Sequence, residues 1–397
     1  MDQTKFLMTW KNLTLFQKKP LLESFNEIYR TKIIPQDWPN ILISPIYRNE
    51  DHDEPSNYRP ISLLNTSLKL FTQILCTRLI TWSERNSKLS NFQFAYRKNQ
   101  GCEDDIFTLH SIITKRIHVK NKPLFSTLID LSQAFDSVEH SLLWKKLKQK
   151  GLSSKFIVIC QAIYKKANAK IKTPNGITNS IPIERQGETL SPILFILFLD
   201  DIIETLNKSE TLPLNMGNAK IHILIYADDM VLLGHTAFQL HQKINIVAKF
   251  LLQNGLKVNT SKTKVLVFGK KQPKNLPILH WGNEKLEIVT QYTYLGVPVN
   301  STLSSKFTPT HFQTQTKIAL SNLFSLFYKA KIDKFETQQK LFHSLVRSVL
   351  LYCALGNHLR RTNGNNLITI FESPVQITKI YPKMDTELGN KPQIHKN

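Results

Sequence analysis

Apolar residues recur along this chain at two spacings, and the alternation between them divides it into elements. Helical spacing comes first, with Leu21, Leu22, Phe25, Ile28 and Tyr29 on one face before Pro35 ends the run. It returns from Thr66 to Glu84, with Leu68, Phe71, Leu75 and Leu79 inward, and from Asp104 to Val119, with Ile106, Leu109, Ile112 and Ile113 as the buried stripe. Between these helices, QFAYRKNQGCEDD reads as a polar loop. A further helix is predicted over 153–166. Ile193 to Ile203 is apolar almost all round, the pattern of a deeply buried helix, with Asp200 and Asp201 at its emerging end. Phe238 to Leu252 is amphipathic and stops at Asn254-Gly255, a C-cap pair. Stretches rich in Leu and Phe from Phe307 to Ala330 and from Phe335 to Leu359 predict a small helical bundle. The broken, polar run from Arg360 to Asn397 predicts no fold.

Strand-length runs fall between the helices. Ile41 to Tyr47 is one, and KIKTPNGITNSIPIE reads as a hairpin turning at Pro174-Asn175-Gly176. LFSTLID is a continuous apolar run that ends in an acid, Asp130. Asp136, six residues on, reads as a helix cap. Ile221 to Leu233, IHILIYADDMVLL, places the adjacent acids Asp228 and Asp229 between two short strands, at the tip of a hairpin. VNTSKTKVLVFG joins a Lys-rich loop to a strand, and LPILHW, KLEIV and YTYLGVPV predict more strands.

Composition narrows the class. The chain has 397 residues, enough for two or three structural units, and no apolar run reaches the length of a membrane span. No signal peptide is visible in MDQTKFLMTWKN. Cys76, Cys102, Cys160 and Cys353 stand far apart, with neither zinc spacing nor a disulfide framework, which fits a reducing intracellular compartment. A net charge of +22 is far from neutral and attracts polyanions, with nucleic acid as the leading partner.

Two carboxylates forced together repel, and a divalent metal between them relieves that repulsion. An ordinary turn would use the same Asp residues, so the surrounding pattern decides. An acid at one strand end and an acidic pair at a hairpin tip form the donor set of two-metal phosphoryl transfer, in which ions about 4 Å apart are bridged by carboxylates. Spacing alone does not bring Asp130 to Asp228.

The ordered blocks FSTLIDLSQAFDSVEH, RQGETLSP, YADD, GLKVNTSKTKVLVFG and YTYLGVPV resemble a reverse transcriptase of the non-LTR (LINE-type) retrotransposon group. The upstream IIPQDWPNILISPIYR, NYRPISLLNTSLKLF and QFAYRK are similar to that group's fingers blocks. The resemblance covers roughly residues 30 to 360. It implies an α+β right-hand polymerase of fingers, palm and thumb, with an antiparallel palm sheet packed on helices. The implied organisation is an N-terminal helix and fingers over 1–122, a palm over 123–300, a helical thumb over 301–360 and an undefined tail over 361–397.

The implied activity is RNA-directed DNA synthesis with two Mg²⁺ ions, an RNA template, a DNA primer and deoxynucleoside triphosphates. Asp130, Asp228 and Asp229 would hold the metals, and Lys262 matches a basic position poised to protonate departing pyrophosphate. Phe135 matches the aromatic that stacks beneath the incoming sugar and clashes with a 2′-hydroxyl, and Leu131 and Ala134 border the same pocket. Gln186 and Gly187 match its nucleotide and template side. Arg59, Lys69 and Arg97 are basic fingers positions suited to the triphosphate. Tyr294, Leu295 and Gly296 match the turn that grips the primer end. A rival reading keeps the fold and the positive groove as a truncated remnant that binds RNA or DNA without efficient synthesis. A nuclear site fits a retroelement enzyme, although no run of Lys and Arg marks import.

Overall fold

The structure, a computed structural model, describes residues 15–36, 38, 40–47, 51–132, 134–165, 167–173, 176–183, 189–270, 278–302 and 307–352. The first helix, α1 (Leu15–Thr31), buries Phe25 and Ile28, but Leu22 is 55% exposed, so its inward face is narrower than the spacing predicts. Strands β1 (Asn40–Tyr47) and β2 (Tyr58–Leu63) then pair antiparallel. Helix α2 (Thr66–Arg85) turns Leu68, Phe71, Leu75 and Leu79 inward as predicted, and the Asn65 side chain caps it by accepting the Ser67 N–H. Helix α3 (Cys102–Thr114) starts earlier than expected, because the Asp104 carboxylate accepts the Gly101 N–H at 2.8 Å and closes the first turn. Its last turn widens over Lys115–Val119, where the Lys120 N–H reaches back to the Lys115 carbonyl.

The apolar run after Pro123 becomes β3 (Leu124–Ile129), with every residue buried, as suits a strand covered on both faces. Helices α4 (His140–Gln149) and α5 (Ser154–Tyr164) follow. Asp136 lies within a separate short helix, Ala134–Ser137, while Glu139 takes the N-cap position of α4, so the expected capping role is not met. Strand β4 (Ala167–Thr173) pairs parallel with β1 and antiparallel with Ile181–Ile183. The hairpin expected inside the palm stretch therefore joins the N-terminal sheet, a non-local pairing that no local pattern encodes. Helix α6 (Ser191–Leu199) is buried at every position from Ile193 onward. The single helix expected to Ile203 breaks at Asp200, where the Ile203 N–H bonds the Asp200 carbonyl in a tighter turn before Asp201–Asn207.

The hairpin strands are β5 (Ile223–Tyr226) and β6 (Asp229–Gly234), followed by α7 (Ala237–Gln253), capped by Thr236. A Cβ on Gly234 would lie 2.9–3.0 Å from Leu240, so only glycine lets the strand end this close to α7. Strands β7 (Lys264–Phe268) and β8 (Glu287–Val289) complete a five-stranded sheet in the order β5-β6-β3-β7-β8. It is antiparallel except at the β7–β8 edge, where Val265 pairs parallel with Ile288. A separate hairpin, β9 (Gln291–Tyr294) and β10 (Val297–Asn300), closes this part of the chain.

The chain divides into two compact units, residues 1–307 and 308–397. In the second, a helix from Phe307 to Ala330 is followed by Phe335–Phe342, a wider turn over His343–Arg347, and Ser348–Leu351, with Leu323 and Val346 buried. The first matches the expected helical stretch; the second, expected to reach Leu359, is helical as far as Leu351, and residues 353–359 lie outside the described residues. The segment expected to lack a fold, from Arg360 on, lies outside the described residues, as does Cys353. Among the described residues Cys76, Cys102 and Cys160 form no disulfide. Among the described residues no helix is long and apolar enough to cross a membrane.

Candidate active site

The sheet register brings the predicted acids to one end of two neighbouring strands. Met230 on β6 faces Ile129 on β3 as the last pair of the ladder, so Asp229 and Asp130 are the next residues along each chain. Asp228 precedes Asp229 in the turn that joins the hairpin strands, whose last pair is Tyr226 with Asp229. Residues roughly a hundred apart in sequence are thus neighbours through strand pairing.

Each element is held there by specific bonds. Asp130 leaves β3 with its N–H donating to Thr263 Oγ1 at 3.2 Å and its carbonyl accepting the Asn259 N–H at 2.8 Å. Leu131, buried, then pairs with Val258. The Asn259–Thr263 turn is tied by Asn259 Oδ1, which accepts the Lys262 N–H at 3.2 Å and the Ser261 hydroxyl at 2.6 Å. Lys262 is exposed, and its charge acts on Asp130.

The hairpin tip is strained. Ala227 has φ 57°, in the left-handed region, as the first residue of the two-residue turn. A side chain there costs roughly 1–2 kcal/mol. Gln93 compensates: fully buried, it accepts the Ala227 N–H at 3.3 Å and the Ala95 N–H at 3.0 Å through one side-chain oxygen. Backbone bonds continue the brace, from Phe94 N–H to the Ile225 carbonyl and from Ile225 N–H to the Phe92 carbonyl, each 2.9 Å. The first residues of the expected polar loop, Gln93 to Ala95, are therefore a buried strap along the open edge of β5, while the loop from Tyr96 to Asn99 is mostly exposed.

Burial, first, pushes Asp130 and Asp228 above the usual carboxylate range, and Asp130's charge adds to the rise at Asp228. Lys262 opposes the rise at Asp130. Asp229 is pushed up to about 6 by burial and by the charges of Asp228 and Asp130. Three carboxylates that repel one another form an oxygen-only donor set of the kind a hard divalent cation neutralises. Among the described residues no three His, Cys, Asp or Glu side chains converge as a ready-made cage. Oxygen donors of this kind suit a hard cation such as Mg²⁺.

The remaining predicted positions divide. Phe135 is 37% exposed with its ring 4.7 Å from that of Phe195, and Ala134 beside it is buried. Leu295 and Gly296 have φ 47° and 74°, a two-residue turn with both central residues left-handed, between Tyr294 and Val297. Tyr294 itself is buried and donates its hydroxyl to Asp105 at 2.9 Å. Arg97 departs from its expected role. Its guanidinium bonds the Glu84 carboxylate at 2.7 and 2.9 Å and the Ser90 and Gln93 carbonyls at 2.6 and 3.1 Å, so it secures the strap rather than facing a phosphate. Lys69 is half-buried on α2. Gln186 and Gly187 lie outside the described residues, as do the side chains of Arg59 and Asp136.

Three residues escaped the sequence reading. Gln93 is flanked by Phe92 and Phe94, an alternation of strand period. Asp105 is spaced four and seven residues before Leu109 and Ile112, on the buried stripe of α3. Tyr292 shares a strand face with Tyr294, and the charges of Asp130 and Asp229 raise its hydroxyl after burial does.

The reverse transcriptase (RNA-dependent DNA polymerase) family model matches residues 48–299. An R2 retrotransposon Pol polyprotein of Nasonia vitripennis is 29% identical over 260 residues, 62% of this chain and 25% of that protein. The RNA-directed DNA polymerase of the mobile element jockey from Drosophila funebris is 24% identical over 343 residues, 81% of this chain and 36% of that protein. The chain thus spans about a quarter to two-fifths of these relatives and of the Popillia japonica R2 protein. Among solved structures, telomerase from Candida albicans aligns with TM-score 0.45 at 15% identity, covering 92% of this chain and 62% of that one. Apo telomerase from Candida tropicalis aligns with TM-score 0.46 at 14% identity, covering 88% and 64%.

Proposed function

Because this chain belongs to the reverse transcriptase (RNA-dependent DNA polymerase) family, we propose that it extends a DNA primer with deoxynucleotides on an RNA template. The observation that carries the proposal is the β3–β6 pairing, which ends at Ile129 with Met230 and so leaves Asp130 and Asp229 as the next residues along each chain, with the charges of Asp130 and Asp228 acting on Asp229.

In the reaction, the primer 3′-oxygen bonds to the α-phosphorus of the nucleotide as the bond to the bridging oxygen breaks, and pyrophosphate leaves. Asp130, Asp228 and Asp229 would hold two Mg²⁺ ions, which when bound neutralise phosphate charge and make the primer hydroxyl a better nucleophile. Lys262, beside Asp130, supplies a proton to the leaving pyrophosphate. Phe135, with Leu131 and Ala134, forms the floor under the sugar and excludes a 2′-hydroxyl. The turn Tyr294-Leu295-Gly296 holds the primer end. Gln186, Gly187, Arg59 and Lys69 are assigned to the nucleotide, template and phosphate side by their match to the family's sequence blocks. The net charge of +22 supports nucleic acid as the partner.

The test is primer extension on an RNA template with Mg²⁺ and deoxynucleotides, comparing the chain with Asp228→Asn. Extension by the parent that drops at least about a hundredfold in the variant is expected, since metal-held charge stabilisation contributes several kcal/mol. RNA binding with no extension by the parent would instead support a non-catalytic binding protein.

A further inference from the structure

Asp105 is a carboxylate that the polymerase reading leaves unused. It lies one turn into α3, fully buried, and α3 packs against β5 of the acidic hairpin. One of its oxygens, Oδ2, accepts the Tyr294 hydroxyl at 2.9 Å, while the other, Oδ1, has no hydrogen-bond partner. Burying an acid with half its acceptors unmet is unfavourable by 1 kcal/mol or more, roughly. Burial pushes it up to about 7, the Tyr294 bond opposing and the Asp229 charge adding. The position is thus destabilising by itself, and the feature it serves is the bond it makes.

That bond joins residues 189 apart in sequence. On one side stands the helix beneath the acidic hairpin. On the other, Tyr294 is the last residue of β9, and the tight turn Leu295-Gly296 begins at the next residue. A two-residue turn has little internal freedom, so its position follows from the strand ends that carry it. The Tyr294 ring is buried between them, its hydroxyl held well above its ordinary value by burial and by Asp105. Two strand positions earlier, Tyr292 lies within reach of the charges of Asp130 and Asp229. The β9–β10 hairpin is therefore fixed beside the acids by a buried anchor from below.

We propose that Asp105 is a positioning residue which, through Tyr294, sets the 294–296 turn relative to the acidic hairpin and so the seat of the primer terminus. This rests on the polymerase reading for the identity of the ligand. Asp105 touches no reacting atom; it acts by holding another residue. Its removal impairs the grip on primer–template more than the use of nucleotide.

The full chain is tested with a fluorescent DNA primer recessed on RNA, by anisotropy and by extension kinetics, with Tyr294→Phe, Asp105→Leu and Asp105→Asn. Tyr294→Phe and Asp105→Leu are expected to raise Kd and KM for primer–template by about 5- to 20-fold, the range of one lost buried bond, with KM for deoxynucleotide moving less than about twofold. Asp105→Asn keeps an acceptor for the tyrosine and is expected to restore affinity to within about threefold of the parent. Should Asp105→Leu fail to fold, the Tyr294→Phe and Asp105→Asn pair still decides. Equal rises in both KM values, unchanged duplex affinity in Tyr294→Phe, or Asp105→Asn as weak as Tyr294→Phe would overturn the proposal. A parent chain that binds the duplex but extends nothing would remove the polymerase reading alone, since the duplex affinities remain measurable.

Discussion

Phe135, five residues after Asp130, has over a third of its surface open, and its ring rests on Phe195 of the buried helix α6. A ring supported from behind cannot retreat from a 2′-hydroxyl, so under the proposed function this one side chain would select the sugar. Phe135→Ala is expected to raise incorporation of ribonucleotides relative to deoxynucleotides by at least about tenfold, the effect of relieving a clash of one to two kcal/mol. Competition between the two nucleotides in single-step extension measures it, and an unchanged ratio would remove Phe135 from the sugar pocket. The acids themselves were legible from sequence, because LFSTLID and IYADD are strands whose patterns stop at the carboxylates. Arg97 was not, since a basic residue in a polar-looking run reveals nothing of a partner such as Glu84 that only packing supplies.

At the scale of elements, the hairpin that carries Asp228 depends on a strap that the sequence pattern disguises. QFAYRKNQGCEDD reads as a loop because its polar residues outnumber its apolar ones. In the fold Gln93 is the partner for two buried N–H groups and supports a left-handed alanine. Gln93→Leu keeps the volume and leaves both donors unpaired, at roughly 1–3 kcal/mol each. It is expected to lower kcat at least about tenfold with a lower thermal midpoint, while Gln93→Glu, which keeps an acceptor, falls between. Extension kinetics and circular dichroism check it, and a Gln93→Leu variant with parental kcat would show the strap to be dispensable. Most helices and strands were legible, since both periods are local, but the strands Tyr58–Leu63, Leu214–Met216 and Ala219–Ile221 were not. The joining of β4 to β1 was not, nor the parallel β7–β8 edge, because pairing between distant strands leaves no local trace.

Across the whole molecule, charge serves binding and works against folding. The excess of 52 Lys and Arg over 30 Asp and Glu suits a polyanionic partner. One of those lysines is enclosed: Lys243 on α7 is fully buried, and its ammonium donates to the Leu233 carbonyl at 2.7 Å. Burial lowers it from 10.5 to about 8. Between those values the unfolded chain binds the proton and the folded chain has released it, so stability rises with pH across that window and the strain is fullest below it. Relative to Lys243→Met, the parent is expected to gain up to about 3 kcal/mol of unfolding free energy between about pH 7 and pH 10. Urea titrations of both proteins measure the difference, and a constant difference across that range would place the ammonium in contact with water.

The account as a whole turns on two strands presenting their acids to a shared pair of ions. Binding of Mn²⁺ as a stand-in for Mg²⁺, followed by electron paramagnetic resonance with primer–template and a nonhydrolysable deoxynucleotide present, tests that most directly. Two bound ions are expected for the parent, with Asp130→Asn and Asp228→Asn each losing an ion or weakening the pair at least about tenfold. Equal stoichiometry and affinity in the parent and Asp130→Asn would contradict it, because the acid on β3 would then have no part in the site that the acids at the hairpin tip form.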